Sequence, residues 1–249
     1  MSSTSNEILP ILYKDDFLVI IDKPPNLLVH PNKWDTKSPN CVDTLQRQLD
    51  HKVYPVHRID RGSSGVVVFA KDSQSARFTT EQFRDRKAKK IYLALARGHL
   101  KNEITIDRSL NKENSNIRSV ALSHARPIAT ATIPEPVSIY NEGWYSFVEL
   151  LLETGRFHQA RRHLRHLNHP IIGDRRHGDR EQNHFFSKRF GISHMFLRAF
   201  GLTIFHPRHG ALLHAQAGLP KWWIDSLDQL GISVSGRYPV APVVDLETQ

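Results

Sequence analysis

Residues 56 to 72 read VHRIDRGSSGVVVFAKD and set Asp60 between Arg58 and Arg61, ahead of a turn and a run of valines. Three uses of such a carboxylate are open: a surface ion pair, an acceptor for its own turn, or a carboxylate kept ionised because it reacts. Nearby guanidinium groups lower a carboxyl pKa and favour the charged form. A charged, positioned carboxylate can act as nucleophile, general base or metal ligand. Gly62 and Gly65 tolerate positive φ and so allow a tight turn, and GVVVFA suits a buried strand. Together they hold Asp60 at the mouth of a sheet.

A second constellation is LLETGRFHQARRHLRHLNHPIIGDRRHGD, residues 151 to 179. Gly155 makes a turn that opens a helix, with Thr154 as candidate cap and Arg156 following. Arg161, Arg162 and Arg165 lie along that helix, whose Ala160, Leu164 and Leu167 share one face. From Arg156 to Arg189 there are nine Lys or Arg against three acids, a net +6 over 34 residues. That density, with five more basic residues in RDRKAKK, is a phosphate-binding footprint rather than an ordinary solvated face. His158, His163, His166, His169 and His177 crowd the same region. Only His163 and His166 have helical spacing, HExxH is absent, and no metal ligand is assigned.

Tyr92 follows the basic cluster in KKIY. An aromatic beside a basic patch can stack a displaced base; a core tyrosine in a strand is the equal alternative. Other literal matches fail. HRID resembles the His-Arg-Asp of a kinase catalytic loop, but an Ile intervenes, Gly65 stands where Asn is required, and DFG and the Gly-rich loop are absent. The chain has no GxxxxGK[ST], and GSSG lacks the spacing of a nucleophile elbow.

These side chains need a scaffold. ILYKDDFLVIIDKPP reads as two strands around a turn at Lys14-Asp15-Asp16, CVDTLQRQL as a short helix, and SQSARFTTEQFRDRKAKK as an amphipathic helix capped by Ser73. IYLALARGHL reads as a strand. Residues 101 to 135 are polar and irregular, with weak strand signals around PIATATI. WYSFVELLLET and FLRAFGLTIFHP are strands, HGALLHAQAG contains a further strand signal, and LPKWWIDSLDQLG is a helix. Strands outnumber helices and lie close together, which predicts an α+β fold with a mixed, mainly antiparallel sheet flanked by helices. One domain spans 1–249, with a core over about 8–230 and a loose tail over 231–249.

With 249 residues, 39% hydrophobic content, 12 Phe and 4 Trp, the chain can build a proper core. Lys+Arg exceeds Asp+Glu by 34 to 25, and the pI of about 9.8 favours a polyanionic partner, nucleic acid first. One cysteine, Cys41, permits no internal disulfide and no CxxC zinc pair. The amino terminus lacks a signal-peptide pattern and no apolar run spans a bilayer, so a soluble, cytoplasmic, monomeric protein without a membrane partner is expected.

Four segments in order resemble the RluA-type pseudouridine synthase family, over roughly residues 8 to 216: ILYKDDFLVIIDKPPNLLVHP, HRIDRGSSG, KKIY and TGRFHQARRHL…HPIIGD. RRHLRHLNHPIIGDRRHGDREQN is most similar to the branch acting on uridine 65 of tRNA, and the short amino terminus leaves no room for an S4-type RNA-binding module. Ile59, Ser63, Ala160 and Asn26 depart from the family's commoner residues without removing a reacting group. The resemblance implies an isomerase of the pseudouridine synthase fold acting on RNA, tRNA foremost, with no metal or organic cofactor. Asp60 would attack the flipped target uridine, Arg156 would pair with Asp60 and keep it ionised, and Tyr92 would stack on the uracil. Arg58 would fill the gap left by the base or hold the backbone. Arg61, Lys90, His158, Gln159, Arg161, Arg162 and Arg165 would contact RNA. Base flipping makes physical sense because the reacting carbons are unreachable in a stacked helix. A ribosomal RNA target, a catalytically silent RNA-binding protein and a metal-dependent nuclease are the competing readings; the last lacks carboxylates paired with Asp60.

Overall fold

Unbroken apolar runs and two-residue alternation set the strands of this chain, and in the computed structural model most of them join into one sheet. The structure describes residues 8–31, 35, 37–113, 115–234, 238–239 and 242–247. In chain order the elements are β1 (Ile11–Lys14), β2 (Leu18–Lys23), α1 (Cys41–Leu49), β3 (Tyr54–Pro55), β4 (Ser64–Ala70) and α2 (Ser73–Arg84). There follow β5 (Lys89–Arg97), β6 (Ile104–Asp107), β7 (Leu110–Asn111), β8 (Arg118–Ser119), β9 (Leu122–Ile133) and β10 (Gly143–Leu152). The chain continues through α3 (Gln159–His166), α4 (Arg180–Phe190), β11 (Leu197–Phe205), β12 (Leu212–Gln216), α5 (Lys221–Gln229) and β13 (Val243–Glu247).

The main sheet runs β1-β2-β4-β11-β5-β10-β9-β6, and β7 and β8 form a small separate hairpin. Among the described residues β4 and β11 are the one parallel pair of strands; the other adjacent pairs are antiparallel. The mixed, mainly antiparallel α+β expectation therefore holds. β11 forks the sheet: Arg198 and Ala199 face Ser64 and Gly65 of β4, while Gly201–Phe205 pair with β12. At the fork only glycine fits. Gly65 has φ +112°, and an added Cβ would lie 2.1 Å from the Ala199 carbonyl oxygen. Gly62, by contrast, does not use positive φ.

Alternation along β2 and β4 fills both faces. Val19, Ile21, Val67 and Phe69 pack with Cys41 and Leu45 of α1, while Leu18, Ile20, Val66 and Val68 pack toward Ala76 and Phe83 of α2. The largest cluster joins β5 and β10 to α3, α4 and α5 through Leu164, Phe186, Phe196 and Trp223.

Several local expectations change. Asp72, not Ser73, caps α2: its Oδ1 accepts the Ser75 N–H at 2.8 Å and its Oδ2 the Ser75 hydroxyl at 2.6 Å. The irregular stretch 101 to 135 contains β6 to β9, and Pro127 of β9 sits beside a register irregularity opposite Val148. Helix α4 was not read from the sequence. The tail is not loose where it is described: β13 pairs with β12, and buried Tyr238 packs edge-on against Phe147 and Phe200. No helix among the described residues is long and apolar enough to cross a membrane.

Candidate active site

Asp60 sits in the turn that feeds β4, where Ser63 N–H donates to its carbonyl at 3.0 Å. The turn is braced from beneath. Lys23 at the end of β2 is buried, and its Nζ donates to the carbonyls of Pro24, Leu27 and Arg61 at 2.8, 2.8 and 3.2 Å. All three ammonium protons are thus used. Burial pushes this lysine down to about 8, against the attraction of Cys41, Asp60 and Asp22.

Helix α3 brings the partner. The chain turns sharply at His158, which has φ +53°, and Gln159 locks the turn. Gln159 Oε1 accepts the Thr154 hydroxyl and the Arg156 N–H, and its Nε2 donates to the Leu122 carbonyl and Ser123 hydroxyl. Thr154 therefore anchors the turn through Gln159 and does not cap α3, whose first turn has no side-chain cap. Arg165 occupies its last turn, the favourable end for a cation.

The residue that pairs with Asp60 is Arg161, not Arg156. Arg161 Nη1 donates to Asp60 Oδ2 at 3.0 Å, while Nε and Nη2 donate to the two oxygens of Asp174 at 2.7 and 2.8 Å. Arg156 lies in the preceding turn and donates Nε to the Val120 carbonyl at 2.9 Å. The reason is positional: Arg161 is on the inward face of α3 beside Ala160 and Leu164, whereas Arg156 precedes the helix on the solvent side.

One guanidinium thus serves two carboxylates in unequal surroundings. The Asp174 side chain is fully buried and also accepts the backbone N–H groups of Arg176 and His177. Arg161 and these amides outweigh burial and hold it below its ordinary value. Asp60 keeps 20% side-chain exposure and faces a cavity. Burial pushes its carboxyl up, opposed by Arg161 and then Arg58, with Asp174 reinforcing the rise. The expectation that flanking arginines lower its pKa is overturned because desolvation is larger, and the sequence neighbour Arg61 turns away. Arg61 donates Nε to the Asn26 carbonyl at 3.1 Å and its Nη1 lies 3.5 Å from Asp35.

Above Asp60 a narrow floor of about 70 Å³ opens into a cleft of about 520 Å³, and both are lined by Arg58, Tyr92, Leu152, Gly155 and Arg156. Tyr92 projects from β5, paired with Leu150 of β10 and Ala199 of β11, so its ring stands between two apolar clusters and the cavity. Burial and then the Asp60 charge raise its phenol, which stays protonated. Arg84, Arg86 and Lys90 add positive charge to the outer wall. His158 Nε2 lies 4.0 Å from Asp60 Oδ1, and its Nδ1 meets His177 Nε2 at 2.8 Å. Burial pushes His158 down to about 3, so it is neutral at physiological pH and leaves Arg161 as the counter-charge.

Asp60, Tyr92, Arg58, Arg156, Lys90, His158 and Arg161 are thus gathered at one cleft. Gln159 is occupied within the fold, and buried Arg161 has its donors on carboxylates, so neither has the phosphate-gripping position read from the sequence. Arg162 and Arg165 lie on the outer side of α3. His163 is a buried strut between the Ser123 hydroxyl and the Arg108 carbonyl. Asp174 and Lys23 were in quoted motifs, HPIIGD and IDKPP, but only their partners in space reveal their part. Among the described residues no group of three or more His, Cys, Asp or Glu is arranged to hold a metal ion.

A family model described as RNA pseudouridylate synthase matches residues 17–166. A protein of Haemophilus influenzae named tRNA pseudouridine synthase C is 35% identical over 235 residues, covering 90% of this chain and 98% of that one. Its namesake from Salmonella typhimurium is 37% identical and covers 90% of each chain. Two solved human structures share the fold. RNA Pseudouridylate Synthase Domain Containing 1 has TM-score 0.71 and 21% identity over 100% of this chain and 94% of its own. Domain Containing 4 has TM-score 0.71 and 23% identity over 90% and 94%.

Proposed function

Since the chain belongs to the RNA pseudouridylate synthase family, we propose that it converts a uridine of tRNA to pseudouridine at the Asp60 cleft, with uridine 65 as the target. The observation that carries the assignment of the centre is the carboxylate of Asp60, held by Arg161 at 3.0 Å on the floor of a cavity walled by Tyr92. Similarity to relatives named tRNA pseudouridine synthase C along 90% of the chain supports tRNA over ribosomal RNA.

Asp60 is the attacking group on the target nucleotide. Burial raises its carboxyl and makes its carboxylate a stronger base and nucleophile than an ordinary aspartate, while Arg161 orients it and opposes the rise. The C1′–N1 bond breaks, the uracil rotates, a C1′–C5 bond forms, and the bond that Asp60 made to the nucleotide is released so that the carboxylate is regenerated. C5 loses its proton and N1 gains one, so the reaction is an isomerisation with no net redox change. The base must leave its stack to reach the floor of the cleft. The Tyr92 ring offers it a flat apolar face, worth roughly 1–3 kcal/mol per stacked base. Arg58, Arg156 and Lys90 face the backbone of the flipped nucleotide.

Pseudouridine mapping of tRNA and ribosomal RNA from cells with and without the gene tests this reading. Loss of one tRNA pseudouridine is expected. Loss of a ribosomal site instead would replace the substrate, and unchanged maps with RNA binding by the purified protein would favour a silent binder.

A further inference from the structure

We propose that a second, separate basic pocket between the outer side of α3 and the β6–β8 arm binds backbone phosphates of the RNA strand beyond the target nucleotide; this rests on the RNA-modifying reading above. The pocket measures about 320 Å³ and is lined by Arg108, Arg118, Arg162, Arg165, His166 and His177, among others. Four guanidinium groups converge there, and among the described residues none has a carboxylate within 4.0 Å.

Arg97, Arg126 and Arg189 are each paired with an acid, at Asp179, Glu149 and Glu135. Three of the pocket arginines instead meet carbonyls or a histidine ring. Arg108 Nη1 is 3.2 Å from His166 Nε2, Arg162 Nη1 donates to the Asn111 carbonyl at 2.9 Å, and Arg165 Nη1 donates to the carbonyls of His177 and Gly178 at 3.0 Å. These contacts fix the direction of the Arg108, Arg162 and Arg165 side chains and leave further N–H donors unused. Like charges gathered without a counter-ion repel one another. A phosphate removes that repulsion, and guanidinium forks match its oxygens.

The pocket also adjoins the reacting centre. Arg162, Arg165 and His166 follow the i, i+3, i+4 spacing of one face of α3, while Arg161 turns inward to Asp60. His177 lines the pocket and contacts His158, itself 4.0 Å from Asp60. A strand leaving the cleft therefore reaches the pocket along one helix.

The test is tRNA binding by the Arg108→Ala/Arg118→Ala double variant across a salt series. Both side chains are exposed and outside the core: Arg108 holds His163 through its carbonyl and meets only His166 through its side chain, and Arg118 lies on the exposed hairpin. The slope of log Kd against log salt is expected to fall by about two. The Arg47→Ala/Arg77→Ala variant removes equal charge from exposed arginines of α1 and α2, away from both pockets, and should leave the slope unchanged. Arg108→Lys/Arg118→Lys should restore it. A wild-type slope in the alanine pair, or an equal fall in the control pair, overturns the pocket. Turnover measured on the same tRNA separates the two claims: modification with an unchanged slope removes only the pocket, and a lowered slope in a protein that never modifies tRNA removes only the reaction.

Discussion

Arg161 binds Asp60 through one nitrogen, Nη1 at 3.0 Å, while its other two nitrogens, Nε and Nη2, grip Asp174 at 2.7 and 2.8 Å. Asp174 fixes the guanidinium in place, so the Asp60 contact is made by a group that cannot swing away. Two carboxylates around one cation are driven apart in pKa, Asp174 downward and Asp60 upward, the pattern expected when one carboxylate is structural and the other works.

Arg161→Lys keeps the charge but cannot reproduce the bidentate contact plus a third donor. It should lower kcat on tRNA by at least about 100-fold, the scale lost when a misplaced group leaves its productive geometry. Arg156→Ala should act mainly on KM, because Arg156 touches a backbone carbonyl rather than Asp60. Steady-state kinetics of the two variants check this. Arg161→Ala additionally leaves Asp174 buried without its cation and should cost about 3–5 kcal/mol in a urea titration.

Tyr92 separates ring from hydroxyl. Tyr92→Phe retains the flat face toward the cavity and should keep substantial turnover, since the phenol makes no hydrogen bond among the described residues. Tyr92→Ala removes both the stacking face and a ring packed between two core clusters. It should lower turnover sharply and cost about 3–5 kcal/mol in stability. Kinetics and thermal melts of the pair decide it; equal turnover by the two variants would remove the stacking role.

Acid should weaken the fold from pH 6.5 downward. Burial depresses His57 to about 3, His158 to about 3 and His177 to about 4. In the unfolded chain these rings take up protons near 6.5, whereas the folded ones stay neutral until much lower pH. The unfolded state therefore binds more protons across that window, and stability falls as pH drops through it. His57 shows the structural reason for staying neutral: its Nε2 accepts the Val68 N–H at 3.1 Å, and its ring stacks on Phe83. Urea midpoints at pH 7.5, 6 and 5 should decline, and His57→Gln should decline less steeply. A midpoint constant down to pH 5 would contradict the neutral assignments.

Much of the scaffold was legible because alternation and apolar runs report burial directly. Val66 to Ala70, Leu18 to Ile21 and the Cys41–Leu49 helix follow from pattern alone. Strand β9 was obscured by Pro127 and small Ala and Thr residues. Helix α4 was hidden because its Phe185, Phe186 and Phe190 sit among charged residues. The carboxylate and its cleft were legible from Asp60, Tyr92 and the basic motifs. The identity of the partner was not, since Arg156 and Arg161 are both arginines of one motif. Only the inward face of α3 decides between them, across 101 residues of sequence. Asp174 was hidden for a related reason, because its importance lies in holding Arg161 rather than in touching the cleft.

The most direct measurement of the central claim is tritium release from tRNA labelled at uracil C5, comparing wild type with Asp60→Asn. Formation of the C1′–C5 bond expels that hydrogen, and the amide replacing the carboxylate can neither attack nor take its place as a base. Wild type should release tritium in amounts matching one target uridine per tRNA, while Asp60→Asn should release none and still bind the RNA. Release by Asp60→Asn at the wild-type rate would show that the reacting group lies elsewhere.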